Sequence, residues 1–369
     1  MRVVQLLPEL NEGGVERGVV EFSREMARRG IESVVVSAGG RLAGQIEADG
    51  GRHILFDVCG KNPLTMLPRA FGLRRLLRRL HPDILHARSR VPAWLAFLAN
   101  RSLRIPFVTT VHGFNSVNPY SRVMTYGDRV ICVSNAIRDH IRRHYHVPDG
   151  KIVVIPRGVD LEQFDPAKVD RTFMAEFSRQ YGLEGRFVVT NAGRITQLKD
   201  YETYIRAIGI LRTEVPEILG LVVGGVRKDK EKYFESLRKL VTSLGLDDHL
   251  LFTGSQSSMA EIYALSRVAV SSSRKPESFG RSAAEALAMN VPVVATGHGG
   301  ILDIVLEGNT GYLFSPGDAA CLAAGILSCR RTPPTNLRNF VSRHFSLNKM
   351  VDETLRVYGS LDYKNIGYH

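Results

Sequence analysis

The chain has 369 residues, 44% hydrophobic and 23% charged, the balance of an ordinary globular protein long enough for roughly two domains. That composition excludes disorder and low complexity. No apolar run reaches the ~18 residues of a membrane span, the N-terminus MRVVQLLPELNEGG has no signal-peptide pattern, and the expected compartment is the cytoplasm. The net charge is +12, and residues 1 to 165 hold 24 Lys and Arg against 16 Asp and Glu, leaving +8 there and +4 in the rest. A basic first half points to an anionic partner. Cys59, Cys132, Cys321 and Cys329 form no CxxC pair, so neither a zinc site nor a disulfide framework is expected; they read as reduced packing residues.

In chain order, RVVQLL predicts a strand, GVVEFSREMARRG a helix closed by Gly30, and ESVVVSA a second strand. Between the first strand and helix, NEGGVER carries Gly13 and Gly14, which allow close backbone approach to a phosphate but lack the dinucleotide fingerprint G-x-G-x-x-G. PRAFGLRRLLRRL reads as an amphipathic helix from Pro68 to Leu80, with Leu73, Leu76, Leu77 and Leu80 on one side. Arg74, Arg75, Arg78 and Arg79 occupy the other. That row reads either as a solvated face or as a surface for anionic lipid. The apolar rhythm continues through DILHA, PFVTTVHG, RVICVS and KIVVIP, placing His86 and His112 just past two strands. His112, followed by Gly113, is the first-domain candidate for chemistry.

From Gly158 to Gly185 the rhythm lapses, and a hinge is expected there. A second series follows, RFVVTNAG, LGLVVGG, HLLFTGS, VAVSSS and VPVVATG. Continuous β-branched runs alternating with helical patterns predict parallel sheets covered on both faces. The fold class is α/β, two doubly wound domains in tandem facing each other across a cleft, over residues 1–165 and 186–345, followed by a C-terminal segment, 346–369. After the first strand of the second series, NAGRITQLKD presents Arg194 and Lys199, a rigid fork and a mobile charge suited to a diphosphate leaving group. Further on, ESFGRSAAEALAMN places Glu277 before a helix start and Glu285 inside the helix, with Gly280 admitting a ligand to the backbone and the helix dipole favouring an anion. Such a pair of carboxylates beside an anion site suits a sugar joined to a phosphate.

Taken together, GGVER at 13, TVHG at 110, VSNAI at 133, VIPRGVD at 154, GRITQLKD at 193, FTGS at 252, the E-x7-E element at 277 and HGG at 298 resemble the retaining glycosyltransferases of family 4, which have the GT-B fold. The resemblance covers nearly the whole chain. It implies a nucleotide-sugar donor, UDP- or GDP-linked, in the second domain and an acceptor in the first. By it Glu285 resembles the ribose ligand, Glu277 and the backbone at Phe279 and Gly280 sugar contacts, and Arg194 and Lys199 diphosphate ligands. Gly14 would face the diphosphate, His112 would adjoin the reacting sugar, and residues from about Asn348 to Tyr363 would form a helix returning to the first domain. Three departures stand out: Asp200 where the family usually has Gly, Met289-Asn290 for Met-Gly, and Asp303 for Glu. The implied reaction is retaining sugar transfer to an acceptor hydroxyl, in a setting such as lipopolysaccharide or other surface glycan assembly at the inner face of the cytoplasmic membrane. No Asp-x-Asp pair exists, so no cofactor and no metal are expected. A nucleotide-sugar epimerase, an inverting transferase or a non-catalytic anionic-lipid-binding protein are the alternatives. Nucleic acid is excluded as a partner, since aromatic-basic interleaving and helix-turn-helix signatures are lacking.

Overall fold

A computed structural model describes residues 1–11, 13–60 and 62–362. The chain divides into two compact units, Met1–Gly158 with the segment starting at Leu347, and Val159–Ser346.

The first unit is built on a seven-stranded sheet: β1 (Arg2–Leu6), β2 (Glu32–Ser37), β3 (Arg52–Leu55), β4 (Ile84–Ala87), β5 (Phe107–Val111), β6 (Arg129–Cys132) and β7 (Ile152–Val154). Their order is β3-β2-β1-β4-β5-β6-β7, and every pairing is parallel. The second unit holds β8 (Phe187–Ala192), β9 (Ile218–Val223), β10 (Leu250–Gly254), β11 (Val268–Ser271), β12 (Val293–Thr296) and β13 (Gly311–Phe314), ordered β10-β9-β8-β11-β12-β13 and again wholly parallel. In both sheets the order reverses once, between β1 and β4 and between β8 and β11. Those reversals are the topological switch points, where crevices open beyond the carboxyl ends of the strands.

Strands β4, β5, β9, β11 and β12 are buried along their whole length, as runs such as VVAT and ILGLVV require when helices cover both faces. Two strands, β3 and β13, lie outside the sequence reading. Both are edge strands of four residues with partly exposed patterns, and RHIL and GYLF lack a continuous β-branched run.

The segment expected to be a hinge holds a helix, Arg171–Tyr181, and belongs to the second unit. Asp170 caps it, its Oδ1 accepting from the N–H groups of Thr172 at 2.9 Å and Phe173 at 3.1 Å, and left-handed Gly182 ends it. The cysteine expectation also needs correction. All four are free thiols, but only Cys132 and Cys329 are buried, each pushed up to about 12 by burial; Cys59 and Cys321 are exposed.

The helix Leu347–Asp362 joins the first unit, where Leu347, Val351, Val357, Tyr358 and Leu361 share a core with Val3, Phe22, Ile84, Val108 and Ile131. Tyr363, the expected end of that helix, lies outside the described residues. Tyr358 is fully buried, its hydroxyl 2.5 Å from His86 Nδ1, and His86 Nε2 is 2.7 Å from Thr110 Oγ1. Burial, with Arg88 and His112 adding to it, lowers the His86 pKa far below its ordinary value, so this histidine is neutral and fully used by the core. Replacing Tyr358 by Phe keeps the ring and strands one imidazole nitrogen, at a cost of about 1–3 kcal/mol. Urea unfolding that shows no loss of stability in that variant would remove the bond from the core's account.

Candidate functional site

The loops after β8 and β11 flank the switch point of the second sheet, which brings Lys199 and Glu277 together across 78 residues of sequence. Lys199 Nζ donates to Glu277 Oε1 at 2.5 Å, with the two side chains 27% and 18% exposed. Ser273 Oγ donates to the same carboxylate oxygen at 2.5 Å, and Ser271 adds a further hydrogen bond. Burial pushes the Glu277 pKa up, but the Lys199 charge and the bonds from Lys199, Ser273 and Ser271 together outweigh it and hold the carboxyl below its ordinary range. Arg194 sits in the same loop as Lys199, exposed.

The loop after β12 braces this arrangement from the other side. His298 Nε2 donates to Ser273 O at 2.8 Å, and Gly300 N donates to Glu277 O at 2.7 Å. A Cβ on Gly299, whose φ is 76°, would lie 2.6 Å from Glu277 O, so only glycine brings the backbone this close. The helix Arg281–Ala288 follows, with left-handed Gly280 (φ 108°) as its N-cap and the Ile301 side chain filling the space a Cβ would need. Phe279 is 2% exposed as a whole residue, and its ring packs edge-on against Phe345 at 5.7 Å, so its side chain belongs to the core. Glu285 lies one turn along the helix, its Oε1 accepting Arg281 Nε at 2.7 Å.

The first-unit candidates gather at its own switch point. Arg157 Nη2 donates to His112 Nδ1 at 3.3 Å, which fixes Nε2 as the protonated nitrogen of a neutral ring. Burial first, then the charges of Arg157 and Arg88, keep the His112 pKa far below its ordinary value. Nε2 is enclosed and has no hydrogen-bond partner among the described residues. His112 is therefore a neutral donor. Gly14 serves Arg157 as well, since a Cβ there would lie 2.6 Å from Arg157 Nη1; the corresponding space at Gly13 is filled by the Glu16 carboxylate.

On the helix Met66–Leu80, Leu73, Leu77 and Leu80 are buried as expected, and Arg75, Arg78 and Arg79 are exposed. Arg74 departs from that row. It is half-buried, with its guanidinium 4.9 Å over the Phe71 ring. Among the described residues no cluster of three or more His, Cys, Asp or Glu is placed to hold a metal ion. Ser273, Arg281, His298 and Arg157 join the expected candidates at these two sites. All four sit in quoted segments, Ser273 in VAVSSS, Arg281 in the E-x7-E element, His298 in HGG and Arg157 in VIPRGVD, and their place at or just beyond strand ends is the signal available.

Two parallel sheets, each with its polar loops at a carboxyl-edge switch point, are the halves of the GT-B fold, and the chain is a glycosyltransferase of that architecture. Residues 12–163 match Glycosyltransferase Family 4, and residues 173–340 match Glycosyl transferases group 1. A D-inositol 3-phosphate glycosyltransferase of Actinosynnema mirum is 30% identical over 94% of this chain and 92% of its own. The crystal structure of a glycosyltransferase from Rickettsia africae ESF-5 superposes with a TM-score of 0.91 at 28% identity, covering 98% of both chains. Anabaena HepE, crystallised with UDP and glucose, has a TM-score of 0.84 at 22% identity, covering 98% of this chain and 100% of its own, a likeness of fold. The chain belongs to the family 4 glycosyltransferases.

The depressed Glu277 pKa has a consequence for stability against pH. A carboxyl whose folded pKa lies below its ordinary 4.5 stabilises the fold fully above that value and loses the contribution as pH falls through the folded pKa. The stability difference between the wild type and Glu277→Gln is therefore expected to stay constant above about pH 5.5 and shrink below 4.5. Thermal unfolding from pH 7 to 3.5 measures it, and a difference that grows on acidification would contradict the assignment.

Proposed function

We propose that the chain transfers a sugar from a nucleoside diphosphate donor to an acceptor hydroxyl with retention of the anomeric configuration, the donor held by the second unit and the acceptor by the first. The observation that carries this reading is the Lys199–Glu277 pair at the switch point of the second sheet, flanked by Arg194 and the start of the helix Arg281–Ala288. Arg194, Lys199 and the first N–H groups of that helix supply positive potential for a departing diphosphate. Glu277, held ionised, accepts sugar hydroxyls and orients the ring. Glu285, steadied by Arg281, accepts the ribose hydroxyls. His112, a neutral ring held by Arg157, adjoins the reacting sugar. The bond from the anomeric carbon to the diphosphate oxygen breaks as the acceptor oxygen bonds to the same face, and the acceptor proton passes to the departing diphosphate oxygen. No enzymic nucleophile is needed. Turnover is proposed to be metal-independent, and full activity in EDTA is the expected result. The UDP bound by Anabaena HepE supports the donor class.

Replacing Glu285 by Ala is expected to weaken nucleoside diphosphate binding tenfold or more, the loss of a charge-assisted bond worth roughly 1.5–3 kcal/mol. Unchanged affinity by calorimetry would remove Glu285 from the site. NMR of the product decides the stereochemistry, an inverted anomeric centre excluding the retaining reaction.

The acceptor is proposed to be a glycan or glycolipid presented at an anionic membrane, as in lipopolysaccharide or related surface glycan assembly on the inner leaflet. No helix among the described residues is long and apolar enough to cross a membrane, so association would be peripheral. Support comes from the patch around the helix Met66–Leu80, where Leu64 is 85% exposed, Leu67 60% and Phe71 62%, beside the exposed Arg75, Arg78 and Arg79. Apolar side chains that insert and arginines worth ~1 kcal/mol each at an anionic surface are the two components such association needs. Sedimentation with phosphatidylglycerol vesicles is expected to fall with added salt and to fall further in Leu67→Ala/Phe71→Ala; indifference to the vesicles would leave a water-dissolved acceptor.

A further inference from the structure

Asp200 directly follows Lys199, and it is fully buried. Its backbone is left-handed, with φ 48° and ψ 55°, a conformation free to glycine and tolerated by aspartate through its short polar side chain. Glycine would meet the backbone requirement alone, so the carboxylate has a separate job. A buried carboxylate is costly unless paired and hydrogen-bonded. Oδ2 accepts Thr203 Oγ1 at 2.8 Å, which ties the loop to the helix Tyr201–Leu211. Oδ1 lies 3.2 Å from Nε of Arg274, in the loop after β11, a side chain 58% exposed.

This ion pair is one of three links between the same two short segments. The Arg274 N–H donates to Leu198 O at 2.9 Å, and Ser272 Oγ donates to Lys199 O at 2.7 Å and Asp200 O at 3.1 Å. Asn191, at the end of β8, holds Ser272 in turn, its Nδ2 donating to Ser272 Oγ at 2.9 Å. Immediately beyond these links, Lys199 from one segment meets Glu277 from the other. The Arg274 N–H link is made by main-chain atoms alone and survives many substitutions, and the Ser272 link needs one side chain. The Asp200–Arg274 pair is the link that depends on both side chains.

We propose that Asp200 and Arg274 form a clasp that sets the spacing of Lys199 and Glu277, making Asp200 a positioning residue for the nucleoside diphosphate. The clasp rests on the donor reading of the second unit given above. It acts through the loops and does not touch the ligand. Loss of either side chain lets the two loops separate and misplaces the Lys199 ammonium relative to the diphosphate, an error to which such sites are sensitive.

The test measures binding of UDP or GDP, whichever the wild-type chain binds more tightly, by calorimetry, together with thermal unfolding and the donor KM. Asp200→Gly keeps the left-handed backbone and removes the carboxylate, while Arg274→Gln removes the exposed partner and leaves the buried carboxylate without its cation. Each is expected to weaken binding about tenfold and to raise the donor KM by the same factor, and the double variant is expected to lose no more than either single one, as coupled partners do. Arg274→Lys should recover part of the loss; the unfolding temperature is expected to fall in Arg274→Gln, whose buried carboxylate is unpaired, so binding is compared at a temperature where every variant is fully folded. Lys199→Ala is the control. If it weakens binding while Asp200→Gly and Arg274→Gln do not, or if the two single losses add, the clasp is wrong and the donor site stands. If Lys199→Ala binds as tightly as the wild type, or neither nucleotide binds, the donor reading fails and the clasp with it.

Discussion

Every strand in each sheet runs in the same direction, so every loop that follows a strand leaves at one edge. This constraint organises the rest. It turns residues distant in sequence into neighbours, bringing the loop after β8 against the loop after β11 and the end of β5 beside the ends of β1 and β4. A parallel strand needs a long return path, and the returning helices bury the sheet on both sides. With the faces covered, the carboxyl edge is where polar groups collect without disturbing a core.

At that edge the polar groups satisfy one another. Lys199 and two serines hold Glu277, Arg281 holds Glu285, and Arg157 holds His112. The charges are thereby fixed in sign and place. Glu277 remains an anion because its partners outweigh its burial, whereas His112 remains neutral because burial and two cations act on it in the same sense. The two residues hold opposite answers to the same physical question. Groups held in place need little reorganisation when charge shifts in a reaction, which is the condition for electrostatic stabilisation.

The sequence makes the central strands plain, because VVV, VVAT and LVV runs occur only where both faces are buried. Edge strands such as β3 and β13 carry no such run and are settled by pairing with a neighbour, which no local pattern records. The helix Arg171–Tyr181 has its signals, Asp170 and Gly182 at its ends, but its apolar Phe173, Phe177 and Tyr181 are too few to stand out. Lys199, Glu277, Gly280 and Glu285 are legible as candidates because they fall in the loops after two strands and in the helix that follows the second. Their pairing is not, since the Lys199–Glu277 contact is made by the sheet. Two departures from the family's usual glycines make sense only in the structure. Asp200 and Asn290 both have left-handed backbones, φ 48° and 60°, where the short side chain of Asp or Asn is an acceptable substitute. Arg157 was hidden for another reason. Its role depends on the empty side of Gly14, a residue more than a hundred positions away.

The first unit is discontinuous, closed only when Leu347–Asp362 supplies Tyr358 to His86 and Val351 to the core. The second unit is one unbroken segment, Val159–Ser346. On a chain made from its N-terminus, the first half to be synthesised is the last to be completed. The seven-stranded sheet must wait through the synthesis of the whole second unit with part of its apolar surface uncovered, including Val3, Phe22 and Ile84. Order of synthesis and order of assembly are thus inverted in this molecule, and a truncation that removes the helix Leu347–Asp362 damages the half of the protein that begins at residue 1.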